Sequence, residues 1–233
     1  KWLWYHTSVK KPAKDKQYGL FVVPLTGGEP ILVHDGVVHV SNVTWDRDEK
    51  VLAITSDKED FAAEKPRSDV YLWEGQHEPA RCIVRAGTPG LPDDMRLSGG
   101  VSFSRDGSVL QLSVAPKPAE DPLPILPEDK VTLDLWNWQD GQLQTQQQKG
   151  GAGRRESRTA VFHRDQNRFL VLGDDQLASL RFVGPDGARM LGSEGKAYDK
   201  ETSWDGRYQD IYLVNSLDGT RAKILEKLRG NVT

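Results

Sequence analysis

Apolar residues in this chain come in short runs broken by Gly, Pro and Asp, with no stretch at helical spacing long enough to suggest a helix bundle. Three of the runs follow segments that superimpose without a gap. Val43-Thr44-Trp45-Asp46-Arg47-Asp48, Val101-Ser102-Phe103-Ser104-Arg105-Asp106 and Ala160-Val161-Phe162-His163-Arg164-Asp165 each carry an aromatic residue third and end in Arg-Asp. Each leads into an apolar strand: Val51 to Ile54, Val109 to Leu112, and Phe169 to Leu172. The aromatic positions are 58 and 59 residues apart. A supersecondary unit repeated at such a period predicts stacked blades of a β-propeller.

A second pattern recurs between these segments: a strand, a tight Gly turn and a returning strand. It is seen at Tyr18 to Leu25 with Gly27-Gly28, Asp69 to Trp73 with Gly75, and Leu133 to Trp138 with Asp140-Gly141. It returns at Leu180 to Val183 with Asp186-Gly187, and at Asp210 to Val214 with Asp218-Gly219. Asp-Gly between alternating apolar runs is a hairpin signal, because a tight β-turn needs positive φ. The expectation is an all-β propeller of four-stranded antiparallel blades, about five of them and partly incomplete. The blades are placed at 1–40, 41–98, 99–157, 158–196 and 197–233, within one propeller domain segment, 1–233. The repeat opens inside one blade and closes at a blade boundary. An open arc of marginal stability, taken from a longer propeller, is therefore expected.

Composition changes this little. The chain has 233 residues, 31 basic and 34 acidic, with net charge −3, which gives no electrostatic reason to expect nucleic acid as a partner. No apolar run is long enough to span a bilayer, so no membrane span is expected. The single Cys82 excludes an intramolecular disulfide, which suits a cytoplasmic protein or a periplasmic or secreted one that does without disulfides. The stretch from Ala115 to Asp129 holds five prolines and reads as a surface insertion. The segment 57–67 takes the same place one unit earlier.

The repeats resemble the N-terminal propeller of the prolyl oligopeptidase family of serine peptidases, including acylaminoacyl-peptidase-like members. The likeness is carried by Tyr18 to Leu25, by Leu126-Pro127-Glu128-Asp129-Lys130 running to Trp136, and by Ser203-Trp204-Asp205-Gly206-Arg207 running to Val214 and on through Glu226 to Asn231. It implies a non-catalytic domain that gates short peptides toward a C-terminal α/β-hydrolase domain of the same polypeptide. The family's nucleophile sits in a Gly-x-Ser-x-Gly elbow, and no such motif occurs here, so no catalytic residue carries over. The Glu-Glu pair of the dipeptidyl-peptidase branch is also absent from the sequence. The alternative is a TolB-like or WD-repeat-like scaffold that binds a protein partner.

Candidate chemistry is sparse, and no catalytic, cofactor-binding or metal residue is assigned. His34-Asp35 with His39 is the one close histidine group and reads as surface loop. Cys82 reads as a buried, inert thiol. Trp45, Phe103 and Phe162 read as packing between blades. Gly192-Ser193-Glu194-Gly195-Lys196 lacks the spacing of a phosphate loop, and Arg154, Arg155 and Arg158 read as a solvated linker. Asn42-Val43-Thr44 matches a glycosylation sequon. A glycan enzyme would need paired carboxylates, but Asp46 has Ser104 and His163 as its equivalents.

Overall fold

The structure is a computed structural model that describes residues 1–7, 17–63, 65–75, 78–117 and 157–230. The described residues form four antiparallel sheets. Sheet 1 contains β1 (Trp2–Thr7), β2 (Gly19–Pro24) and β3 (Ile31–Asp35). Sheet 2 is β4 (Val40–Trp45), β5 (Leu52–Ser56), β6 (Asp69–Trp73) and β7 (Arg81–Val84), hydrogen-bonded in that order. Sheet 3 begins with a broken strand, β8 (Met95–Leu97) and β9 (Ser102–Phe103), both paired with β10 (Val109–Pro116). It continues with β11 (Arg158–His163) and β12 (Arg168–Val171). Sheet 4 runs through β13 (Leu180–Val183), β14 (Arg189–Glu194), β15 (Tyr208–Asn215) and β16 (Arg221–Arg229), with a 3-10 helix at Lys196–Ser203.

Alternation of side chains across each strand explains how the sheets stack. In β5 and β6, Leu52, Ile54, Tyr71 and Trp73 face Leu20, Val22 and Val33 of sheet 1. The residues between them, Ala53, Val70 and Leu72, face Leu110, Leu112, Ala160 and Phe162 of sheet 3. The pattern then repeats one sheet further on. Val109 and Val161 point the other way, toward Leu180, Met190 and Val214 of sheet 4. Sheets 2 and 3 are thus buried on both faces, which is why β5 and β6 are buried along their whole length. Consecutive antiparallel sheets packed face to face in series are the architecture of a propeller, and the fold is all-β as expected.

The pairing corrects the repeat. Phe162 was aligned with Trp45 and Phe103 as a first-strand residue, but β11 is hydrogen-bonded to β10 and is the third strand of sheet 3. Across sheet 2 the row runs Trp45, Leu52, Trp73; across sheet 3 it runs Phe103, Leu110, Phe162. Phe162 is therefore the counterpart of Trp73. The β10–β11 pairing joins the stretches 99–157 and 158–196 that the repeat had separated. The Asp186-Gly187 and Asp218-Gly219 turns likewise belong to one sheet rather than two. The physical cause is simple. First and third strands of an antiparallel sheet run in the same direction, so both reach the same edge and need the same turn chemistry. The hairpin expected at Leu133 to Gly141 lies outside the described residues.

One glycine in sheet 1 is fixed by close approach. Gly19 has φ +147°, and a Cβ there would lie 2.1 Å from the His34 carbonyl oxygen. Gly19→Ala is expected to cost about 1–3 kcal/mol, since backbone rather than a flexible side chain must move. Chemical denaturation checks this, and an unchanged midpoint would contradict the packing of β2 on β3.

Candidate functional site

Strand direction gives the molecule two unlike faces. One carries the tight turns, at 25–30, 46–51, 104–108, 164–167, 184–188 and 216–220. Their chemistry is local. Asp46 Oδ1 accepts from the Lys50 and Val51 amides at 2.7 and 3.0 Å, and Ser104 Oγ accepts from the Val109 amide at 3.0 Å. Gly187, with φ +64°, follows Asp186, whose carboxylate accepts from the Ala188 amide at 3.1 Å. The other, the long-connection face, carries the connection 195–207, the described parts of the connection between β5 and β6, the links between sheets, and the strand ends at Thr7, Gly19, Pro116 and Arg158. Loops held on a rigid scaffold are where binding residues concentrate.

On the long-connection face, a cleft of about 370 Å³ lies between sheets 2 and 3. Its walls include Asn42 at the start of sheet 2, Thr55 near the end of β5, Arg67, Arg96, and Ser98 to Gly100 in the gap between β8 and β9. Broken first-strand pairing opens this gap. Asn42 Oδ1 accepts from Thr44 Oγ at 2.9 Å and from the Val101 amide at 3.5 Å, which ties the two sheets together at the inner edge. Thr44 Oγ also lies 3.1 Å from the Val101 carbonyl. Thr55 is 3% exposed, and its Oγ1 and the Ser98 Oγ are buried with no hydrogen-bond partner among the described residues. Arg67 donates from its amide and Nε to Asp60 at 2.9 and 3.0 Å, whereas Arg96 has no ion pair among the described residues. A shallow extension past Arg67 and Arg96 is lined by Asp69 and Lys117. Burial pushes the Asp69 carboxyl up to about 6.

The sequence candidates fall elsewhere. His34 is not a surface-loop residue: it is buried, with Nε2 2.7 Å from Ser56 Oγ and its ring 4.3 Å from that of Tyr71. Burial, reinforced by the Lys58 charge, lowers its pKa to about 4. Asp35 pairs with Lys58 at 2.6 Å, and the His39 amide donates to Asp57, so the three do not converge. In Ile31-Leu32-Val33-His34, alternation puts His34 off the core face that Ile31 and Val33 share; a register shift between Leu20 and Phe21 brings it opposite Leu20 and toward sheet 2, and the sequence alternation carries no signal of that. Cys82 is exposed, not buried, because β7 is the outer edge of sheet 2. Desolvation of its sulfur still pushes the thiol up to about 11, so it is a poor nucleophile. Trp45, Phe103 and Phe162 do pack between sheets, Trp45 between sheets 1 and 2 and the other two between sheets 2 and 3. The stretch Arg189–Glu194 is strand, with Gly192 pressed against Leu177 and Leu180, and not a phosphate loop. Arg158 pairs with Asp175, while Arg154 and Arg155 lie outside the described residues.

Other polar groups serve the fold. Lys223 Nζ, Tyr198 OH and the Lys227 amide all donate to buried Asp210, at 2.7, 2.7 and 2.9 Å. The Lys223 hydrogen bond leads in holding that carboxyl down at about 2. This pins the bulge of β15 on β16, where Lys227 has φ +46°. On the tight-turn face a second cleft, of about 180 Å³, contains His163, but its Nε2 is engaged with the Ser216 carbonyl at 2.9 Å.

Among solved structures, the chain is similar to the β-propeller domain of the Trilobed protease from Pyrococcus furiosus. The identity is 11% and the TM-score 0.48, over 93% of this chain and 52% of that one. It is similar to an acylaminoacyl peptidase from Pyrococcus horikoshii at 13% identity and TM-score 0.47, over 91% of this chain and 28% of that one. It is similar to a putative TolB from Agrobacterium tumefaciens at 14% identity and TM-score 0.38, covering 89% and 55%. The chain is a β-propeller scaffold. That statement rests on its own four sheets and their cores. The chain spans about half the length of the first of these structures and about a quarter of the second. No protein-family model matches the chain, and no curated protein matches it. Among the described residues no helix is long and apolar enough to cross a membrane.

Proposed function

We propose that this propeller is a non-catalytic access domain. Its long-connection face lies against an α/β-hydrolase domain of a serine peptidase and admits short peptides while excluding folded chains. The observation that carries the reading is the asymmetry of the two faces. Among the described residues, the connection 195–207, the strand ends Thr7, Gly19, Pro116 and Arg158 and the larger cleft between sheets 2 and 3 lie on one side, whereas the other side carries tight turns and a smaller cleft. The sequence resemblance supplies the identity of the neighbouring domain. Size selection then needs no chemistry from the propeller: a narrow path passes an extended oligopeptide and stops a folded one.

The purified chain is expected to hydrolyse neither a p-nitrophenyl ester nor an acyl-peptide. In a polypeptide carrying the hydrolase domain, deletion of the propeller is expected to let a folded protein be cleaved as readily as a short peptide. Turnover by the isolated chain that a single Ser→Ala change abolishes would overturn the reading. So would unchanged size selection after deletion. Capture of one stoichiometric protein partner on the long-connection face, with no effect on proteolysis, would favour the scaffold alternative.

A further inference from the structure

We propose that this chain self-associates head to tail, with the outer face of sheet 4 in one copy packed on the outer face of sheet 1 in the next. The inference goes beyond the access-domain reading and does not depend on it. It rests on how the sheets stack within one copy.

Sheets 2 and 3 meet an apolar neighbour on each face, but the two end sheets do so on one face only. In sheet 1, Trp2, Leu20 and Val22 face sheet 2, so alternation turns Leu3, Tyr5, Phe21 and Val23 outward. Leu3 is 56% exposed, and the Tyr5 ring stacks on Phe21 at 5.2 Å. In sheet 4, Phe182, Met190, Tyr212 and Val214 face sheet 3. The cross-strand pair Leu191 and Leu213 therefore faces outward, with Val183 on β13 and Leu225 on β16. Leu225 is 46% exposed. Both outward faces are thus apolar, and neither Leu3 nor Leu225 is covered by another part of the chain.

The occupant follows from continuity with the interfaces already present. Sheet 1 leaves bare the kind of face with which sheet 2 meets sheet 1. Sheet 4 leaves bare the kind of face with which sheet 3 meets sheet 4. These are the two halves of an interface that occurs three times within the chain, so joining them continues the same stack. Two copies of one half have no counterpart anywhere in the fold. The contact is therefore heterologous: a dimer keeps one free half at each end, and further copies can add. Removal of apolar side chains from water drives it.

The test is sedimentation velocity of the chain up to about 200 μM, a range chosen because the contact of a single sheet face is small and binds weakly. The weight-average sedimentation coefficient is expected to rise with concentration. Leu3→Glu disables the sheet 1 half and Leu225→Glu the sheet 4 half, since each carries a charge into an apolar contact. Each variant alone is expected to associate at least roughly tenfold more weakly than the unaltered chain. Mixed in equal amounts, the two are expected to form a dimer of one copy of each and nothing larger, because each retains the half that the other lacks. Circular dichroism and thermal melting check that both variants fold, and Tyr5→Glu with Val183→Glu provides a second pair if one does not. A chain that stays monomeric at the highest concentration would overturn the proposal. So would a mixture of folded variants that stays monomeric. Undiminished association of either variant alone would show like faces pairing and would overturn the head-to-tail contact. The access-domain reading is tested by size selection, so it stands or falls separately.

Discussion

Truncating Trp73 to Ala is expected to destabilise the chain by about 3–5 kcal/mol, the range for a large aromatic removed from a packed core. Trp73 is 1% exposed. Its indole meets those of Trp2 and Trp45 edge-on, at centroid distances of 5.8 and 6.0 Å, and these two stack on each other at 6.1 Å. The three rings come from β1, β4 and β6, so one side chain joins two sheets. Its loss leaves a cavity that neither sheet can close without shifting the other. Urea unfolding followed by circular dichroism measures the effect without relying on the deleted fluorophore. Phe162→Ala should cost a similar amount, because Phe162 is 1% exposed and holds the same place in sheet 3. A loss below about 1 kcal/mol at either position would contradict the interface it fills.

The second large effect is a pair of opposed pH dependences. His34 is held neutral, with a folded pKa near 4 against an ordinary 6.5, so the unfolded chain takes up its proton first. Its contribution is fully present above pH 6.5 and is lost as pH falls toward 4. At the conversion of about 1.4 kcal/mol per pH unit this amounts to about 3 kcal/mol at most. Asp69 acts in the other direction. Its folded pKa is near 6 against 3.8, so its contribution is fully present below pH 3.8 and is lost as pH rises through 6. The amplitude is again about 3 kcal/mol at most. Between pH 4 and 6 the two slopes offset each other. Asp69→Asn should therefore raise stability at pH 7 and expose a steep loss on acidification. His34→Gln should leave a protein that gains stability from pH 6 to 4. Denaturant midpoints at half-unit pH steps check both; a flat profile in the Asp69→Asn variant would show that His34 is not buried neutral.

Much of the fold was legible because strands announce themselves through alternation and turn residues. Sheet 2 follows from the sequence nearly strand for strand, since Val51 to Ser56 and Asp69 to Trp73 are apolar runs flanked by turns. What alternation does not encode is which strand pairs with which. The Arg-Asp segment at Phe162 has the same local chemistry as that at Trp45, and only hydrogen bonding to β10 shows it to be a third strand. The histidines show the same limit. His34 looks like a loop residue beside Asp35 until the register shift between β2 and β3 turns its ring toward Tyr71 and Ser56. The cleft was invisible for a different reason. Thr55, Arg96 and Ser98 form no motif, and they become neighbours only where two sheets meet at a broken strand.

β10 ends at Pro116 and β11 begins at Arg158, yet the two pair in continuous register from Val109↔His163 to Val114↔Arg158. The entropic cost of bringing two strands together grows only with the logarithm of the chain length between them, so doubling that length costs about 0.6 kcal/mol. Sheet 3 can therefore tolerate a wide range of insert lengths while keeping the same strand register. The distance along the chain between Phe103 and Phe162 is set by the insert, not by the architecture, and its agreement with the interval from Trp45 to Phe103 is arithmetic without a mechanical cause.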